Sequence, residues 1–286
     1  DRGVRLGVPL LVFGFILGPL AVALGTTTQD QSTLDRWSAL LRPGTFVMGP
    51  LWFAWALLLF ACAWVLWSRA TQGTARPVSR TEAPLPGWRA WLLSALLVGL
   101  AALAIRQWVP VGHNVMGLQL GYFASYIFLF FLGTRASASR WLERVSPEQA
   151  RAWGVVSLLA IPLLPLGAAL SGALEGKAVD FNGGLGGAAV LYAFWEPFVA
   201  WGIMAFLLVQ FRQRFNAQSL RWKRWGEEAY GAFVVHAPVV VALSVLLAPW
   251  PAPPLVKFAL VAGLGTALSF LMARTLRALP GVTRVL

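Results

Sequence analysis

Apolar residues run through this chain in long windows, each bounded by charged or polar residues. Eight such windows are present: Val4 to Leu24, Phe46 to Ser68, Trp88 to Pro110, Gly117 to Gly133, Ala152 to Leu174, Leu185 to Phe211, Ala229 to Pro249 and Leu255 to Ala273. Several reach the roughly 20 residues that an α-helix needs to cross a ~30 Å hydrocarbon core. Inside lipid the backbone must satisfy its own hydrogen bonds, which a helical bundle does. The pattern predicts an all-α fold: one polytopic transmembrane helical bundle with eight spans, a single domain over residues 1–286.

Composition agrees and excludes a soluble enzyme. The 286 residues are 58% hydrophobic and 12% charged, with 15 Trp, whereas soluble domains carry about 25% charged residues. Mean hydropathy is +0.68. The net charge of +12 does not point to nucleic acid, because the basic residues are spread over short gaps and form no dense stripe. They alternate instead: 18 of the 23 Lys and Arg flank the spans on one side, leaving Arg36, Arg42, Arg106, Lys177 and Lys257 for the other. Basic residues near span ends are retained in the cytoplasm, so both ends of this chain are expected there, in a multi-pass protein of the cell (plasma or inner) membrane surrounded by lipid. The longest connections, Gly25 to Thr45 and Arg69 to Gly87, are polar and carry no inserted domain. One cysteine, Cys62, and two histidines offer neither a disulfide nor a metal site. The sequence leaves the oligomeric state open.

Ionisable groups inside spans are costly and therefore candidates for function. Glu196 is the clearest, near the middle of its window and followed by Pro197, which leaves the Ala193 carbonyl without its helical donor. Its carboxyl group can act in chemistry or can hold neighbouring helices together. His236 repeats the arrangement with Pro238 two residues on, and serves as base, substrate donor or packing residue. Arg106, near the outer end of its span, either snorkels to the headgroups or binds an anionic group. His113 lies in a short outer turn, solvated or available for proton transfer. Trp52 and Tyr230 lie near span ends, where aromatic residues form interfacial belts. The glycines of Gly183 to Gly187 read as an outer turn, since no Lys-Ser or Lys-Thr follows them. The basic cluster from Arg212 to Arg224 fits either cofactor phosphates or simple cytoplasmic placement. Neither histidine has Asp five residues later, which removes the His-x4-Asp acyltransferase motif. Ser171 and His236 sit at opposite ends of their spans, which argues against a serine protease.

Four stretches together resemble the acyltransferase type 3 family, in the branch similar to glucan biosynthesis protein C. They are Arg2-Gly-Val-Arg5-Leu-Gly-Val-Pro9, Gly49-Pro-Leu-Trp52-Phe53, Tyr122 to Gly133 with Trp141-Leu142, and Glu227-Glu-Ala-Tyr230-Gly-Ala-Phe-Val-Val-His236-Ala-Pro238. The last is similar to the family's Ala-Tyr-x-x-Tyr-x-x-His-x-Pro pattern, with Phe233 in place of the second Tyr. The resemblance implies a ten-span bundle that moves an acetyl or succinyl type of group from acyl-CoA to a hydroxyl of a carbohydrate or similar extracytoplasmic acceptor of the cell envelope. It places two further spans, with the family's Arg-x10-His motif and its proposed catalytic His, ahead of Asp1. On this reading Glu196 and His236 are the catalytic candidates of this chain. Tyr230, Arg106, His113 and Trp52 are candidates for substrate binding, with Tyr230 and His236 orienting the donor. The rival reading is a transporter or flippase of a polar lipid or glycan precursor, which would use the same central carboxyl group and proline-broken helices.

Overall fold

The computed structural model describes residues 2–26, 32–71, 83–217 and 219–286, and there every regular element is helical. In chain order these are α1 (Arg2–Val12), α2 (Gly18–Thr26), α3 (Thr33–Leu41), α4 (Trp52–Thr71), α5 (Trp88–Arg106), α6 (Phe123–Ala138), α7 (Trp141–Arg144), α8 (Pro147–Ala160), α9 (Leu163–Leu170), α10 (Gly187–Arg214), α11 (Leu220–Leu247) and α12 (Pro254–Arg277). Arg76 and Arg80 of the expected cytoplasmic loop lie outside the described residues.

Among the described residues, seven helical stretches are long and apolar enough to cross a membrane, and they coincide with seven of the eight windows. The remaining window, Gly117 to Gly133, starts late. Met116 and Gly117 both adopt positive φ, 51° and 82°, and the Gly117 N–H donates to Asn114 Oδ1 at 2.8 Å, closing a tight turn. A 3-10 turn at Leu120–Tyr122 follows, and α6 itself has only 16 residues. At 1.5 Å per residue it is about 24 Å long, short of a full hydrocarbon core.

Prolines interrupt two windows. Between α1 and α2 the chain makes a π turn, Phe13–Leu17, in which the Gly18 N–H reaches back to the Phe13 carbonyl. The next donor in that register is Pro19, which has no N–H. The Gly14 carbonyl instead accepts the Val47 N–H at 2.9 Å. Side chains at Gly14 and Gly18 would overlap Phe46 and the Val47 carbonyl, so these glycines permit the close approach. Between α8 and α9 the break falls at Ile161 and Pro162, where Trp195 Nε1 donates to the Ala160 carbonyl at 2.8 Å. The segment expected as a loop between the first two spans contains α3, which is capped by Ser32 accepting the Asp35 N–H at 3.2 Å.

The chain packs as two compact units, Asp1–Arg69 with Gln218–Leu286, and Ala70–Ala217. In the first, α11 packs along α12 and against α2, with Leu10, Phe13, Leu51, Ala54 and Val234 in its core. In the second, α10 is central and packs on α5 and α8. Ser157 Oγ donates to the Val199 carbonyl at 2.8 Å, and Gly202 lies so close to Trp153 that any Cβ would overlap its backbone. Small residues bring helix backbones together in this way where lipid supplies no hydrophobic drive. Large apolar side chains such as Leu158, Leu255 and Phe258 face outward. This arrangement suits a hydrocarbon surround, and the chain is a multi-pass membrane protein.

Candidate active site

The buried face of α5 reads Ala95, Val98, Gly99, Ala102 and Arg106, at the i, i+3, i+4, i+7 and i+11 positions of one helical stripe. Gly99 makes room for the Phe194 ring of α10, so the two helices touch there. Two turns further on, the same face carries the Arg106 guanidinium inward. Arg106 is 1% exposed and does not snorkel. Its Nη2 forms an ion pair with Glu196 Oε2, Glu196 being about 14 Å along α10 from its first residue. Arg106 Nε donates to the Gly121 carbonyl at 3.0 Å, and the guanidinium carbon lies 4.9 Å from the Tyr192 ring centre and 5.5 Å from that of Tyr122. Ser125 Oγ donates to Glu196 Oε1 at 3.4 Å, and the Tyr122 and Tyr192 hydroxyls are 3.3 Å apart. Tyr126, ring to ring with Tyr122 at 6.4 Å, completes the wall.

One donor is left over. Arg106 Nη1 is buried and has no hydrogen-bond partner in the protein. Leaving such a group unpaired costs about 1–3 kcal/mol, more when it is charged, so an oxygen atom placed beside Nη1 would be stabilised there. Glu196 keeps 19% side-chain exposure, which opens the cluster to a ligand. The connection before α10 holds the site in place: Gln107 Nε2 donates to the Gly184 carbonyl at 3.0 Å and the Val111 N–H to the Asn182 carbonyl at 2.9 Å. A Cβ on Gly183 would press on the Arg106 carbonyl oxygen, at 2.8 Å. Gly183 thus permits close docking against the end of α5.

A profile described as an acyltransferase domain, acyltransferase type 3, matches residues 1–274. The chain belongs to the acyltransferase type 3 family. No curated protein and no solved structure matches it. Family and helices together make it a membrane acyltransferase.

In the other unit of this acyltransferase, His236 Nδ1–H donates to the Phe233 carbonyl at 2.6 Å, the tautomer being assigned from that acceptor. In the neutral ring this makes Nε2 the accepting nitrogen. The imidazole stacks on Phe233 and lines a groove of about 710 Å³ between α11 and α12, with Ser244, Lys257, Thr266 and Phe270.

The Tyr230 hydroxyl donates to the Arg5 carbonyl at 2.9 Å. Pro9, four residues after Arg5, supplies no helical N–H to that carbonyl, and the tyrosine takes its place. Trp52 opens α4 and meets Phe53 edge to face at 6.2 Å. His113 is exposed on the turn after α5, away from the Arg106 and Glu196 cluster in its hydrogen bonding. Arg212, read as a phosphate contact or a cytoplasmic marker, donates to the carbonyls of Leu142, Glu143 and Val145 and so closes the end of α7. Sequence reasoning singled out Glu196 and Arg106 but did not pair them, and it did not assign Tyr122, Ser125, Tyr126 or Tyr192. The signal was present: three of the chain's four tyrosines converge here.

Proposed function

We propose that this acyltransferase is an O-acyltransferase of the cell envelope, moving an acetyl or succinyl type of group from acyl-CoA to a hydroxyl of a carbohydrate or similar extracytoplasmic acceptor. The observation that carries the reading is the Arg106 and Glu196 cluster with its spare Nη1 donor. Tyrosine rings and hydroxyl groups beside paired charges suit a polyhydroxylated ligand, which offers both flat apolar faces and hydrogen-bonding edges. Arg106 ends α5 on the side opposite the basic flanks, which supports an acceptor that arrives from outside, with both ends of the chain in the cytoplasm.

In the reaction the acceptor oxygen attacks the thioester carbonyl, a C–O bond forms, the C–S bond breaks, and the hydroxyl proton ends on the departing thiol. Glu196 accepts the acceptor's hydroxyl hydrogen and orients it, while Arg106 Nη1–H donates to a substrate oxygen or to the developing oxyanion. His236, through Nε2, is the candidate base of its own unit. A carboxylate already paired with a guanidinium is a poor cation ligand, which weighs against the transporter or flippase reading.

The test uses proteoliposomes supplied with labelled acetyl-CoA or succinyl-CoA on the cytoplasmic face and glycan acceptors on the other. Hydroxylamine-labile label on the glycan is expected. Translocation of glycan precursor without acyl-CoA, and no label on acceptor, would overturn the proposal.

A further inference from the structure

We infer that the Arg106 and Glu196 cluster selects an uncharged, hydroxyl-bearing ligand and rejects an anionic sugar. This names the charge class of the acceptor proposed above and rests on that reading. The charges of the cluster already cancel. Arg106 is 1% exposed, and among the described residues its ion pair is with Glu196. The groups that touch the pair are uncharged: the Gly121 carbonyl, Ser125 and the rings of Tyr122 and Tyr192. A carboxylate or phosphate entering here would add one negative charge without a counterion, which a buried site strongly disfavours.

The open hydrogen-bonding positions have the same preference. The pair meets through one bond, Nη2 to Oε2, so Nη1 and Oε1 are the second atoms of the two groups. Nη1 carries hydrogen and has no partner, while Oε1 accepts a long bond from Ser125 Oγ, at 3.4 Å. A hydroxyl group answers both needs, since its oxygen accepts from Nη1 and its hydrogen goes to a carboxylate oxygen. Neighbouring hydroxyls of one sugar ring can divide the two tasks. An ionised carboxylate has no hydrogen to give and would set like charge against Glu196.

The border of the cluster adds to this bias. Phe181 meets the Tyr192 ring edge to face at 6.3 Å, so the connection before α10 reaches the cluster, and it carries Asp180. Asp180 Oδ1 accepts the Asn182 N–H at 2.8 Å, a bond that leaves its negative charge in place. Glu175 and Lys177, earlier in the same connection, pair with each other.

The experiment titrates the intact chain in lipid nanodiscs with methyl glucoside, methyl glucuronide and methyl glucuronamide, which differ only in the exocyclic group, and follows binding by saturation-transfer NMR at neutral pH. The glucoside and the neutral amide should bind alike, and the ionised glucuronide at least about tenfold more weakly. Glu196→Gln removes the charge that cancels Arg106, and the order should reverse, with the glucuronide bound more tightly than the glucoside. An ion pair that only fastened the helices would give no such reversal. Should Glu196→Gln fail to fold, the comparison of the probes on the parent protein decides by itself. Glucuronide bound as tightly as the glucoside by the parent protein, or an unchanged order in the folded variant, overturns this inference and leaves the acceptor reading standing. Binding of none of the probes overturns both.

Discussion

Arg106 and Glu196 are each other's counterion, the guanidinium fully buried at the end of α5 and the carboxylate four residues after Tyr192 on α10. A buried pair gains little over apolar side chains of the same volume, but removing one partner strands the other at a cost of about 3–5 kcal/mol. Arg106→Leu and Glu196→Leu should each destabilise the protein to that extent. The double variant should recover more than half of the loss. Equilibrium unfolding in mixed micelles measures the cycle, and simple additivity of the two losses would contradict the pairing.

Tyr230 and Pro9 form a second such unit, since the tyrosine hydroxyl fills the acceptor that the proline leaves open. Tyr230→Phe should cost about 0.5–1.5 kcal/mol. In a Pro9→Ala background the restored N–H of residue 9 can bond the Arg5 carbonyl, and the same Tyr230 substitution should cost clearly less. Equal costs in both backgrounds, read as thermal midpoints, would show that the hydroxyl serves something other than this carbonyl.

Much of this was legible in the chain itself. Seven windows became spanning stretches, because length and apolar content alone decide what lipid accepts. Glu196 stood out by its depth. The inward turn of Arg106 was also written in the sequence, as the continuation of the Ala95, Gly99 and Ala102 stripe. Position near a span end suggested snorkelling instead, and helical phase overruled it. The pairing itself could not be read, since nothing local links residues 90 apart. Other misses have local causes: the positive φ values at Met116 and Gly117 shorten α6, and Ser32 caps α3 where a loop was expected.

The crossing of α8 and α10 depends on one missing side chain. Gly202→Ala would drive a methyl group into the Trp153 backbone and Ser157 Oγ and should destabilise by at least about 1–3 kcal/mol. Gly263, inside α12 with nothing within 4 Å of its Cβ direction, should respond oppositely, with Gly263→Ala neutral or stabilising by up to about 1 kcal/mol. Thermal unfolding of both variants checks the contrast; equal responses would rule out the tight crossing.

His236 separates packing from chemistry through its two nitrogens. His236→Asn retains a donor near the position of Nδ1 for the Phe233 carbonyl and removes Nε2. Stability should be kept while acyl transfer falls by about 10²-fold or more. Full turnover in this variant would leave His236 a packing residue.

The central claim is that the Arg106 and Glu196 cluster binds and orients the group that receives the acyl chain. Glu196→Gln keeps the shape and an acceptor for Arg106 while removing the charge. Measured at equal expression, transfer of labelled acyl groups from acyl-CoA to glycan in proteoliposomes should drop by about 10²-fold or more with the fold intact. Undiminished transfer would contradict the account.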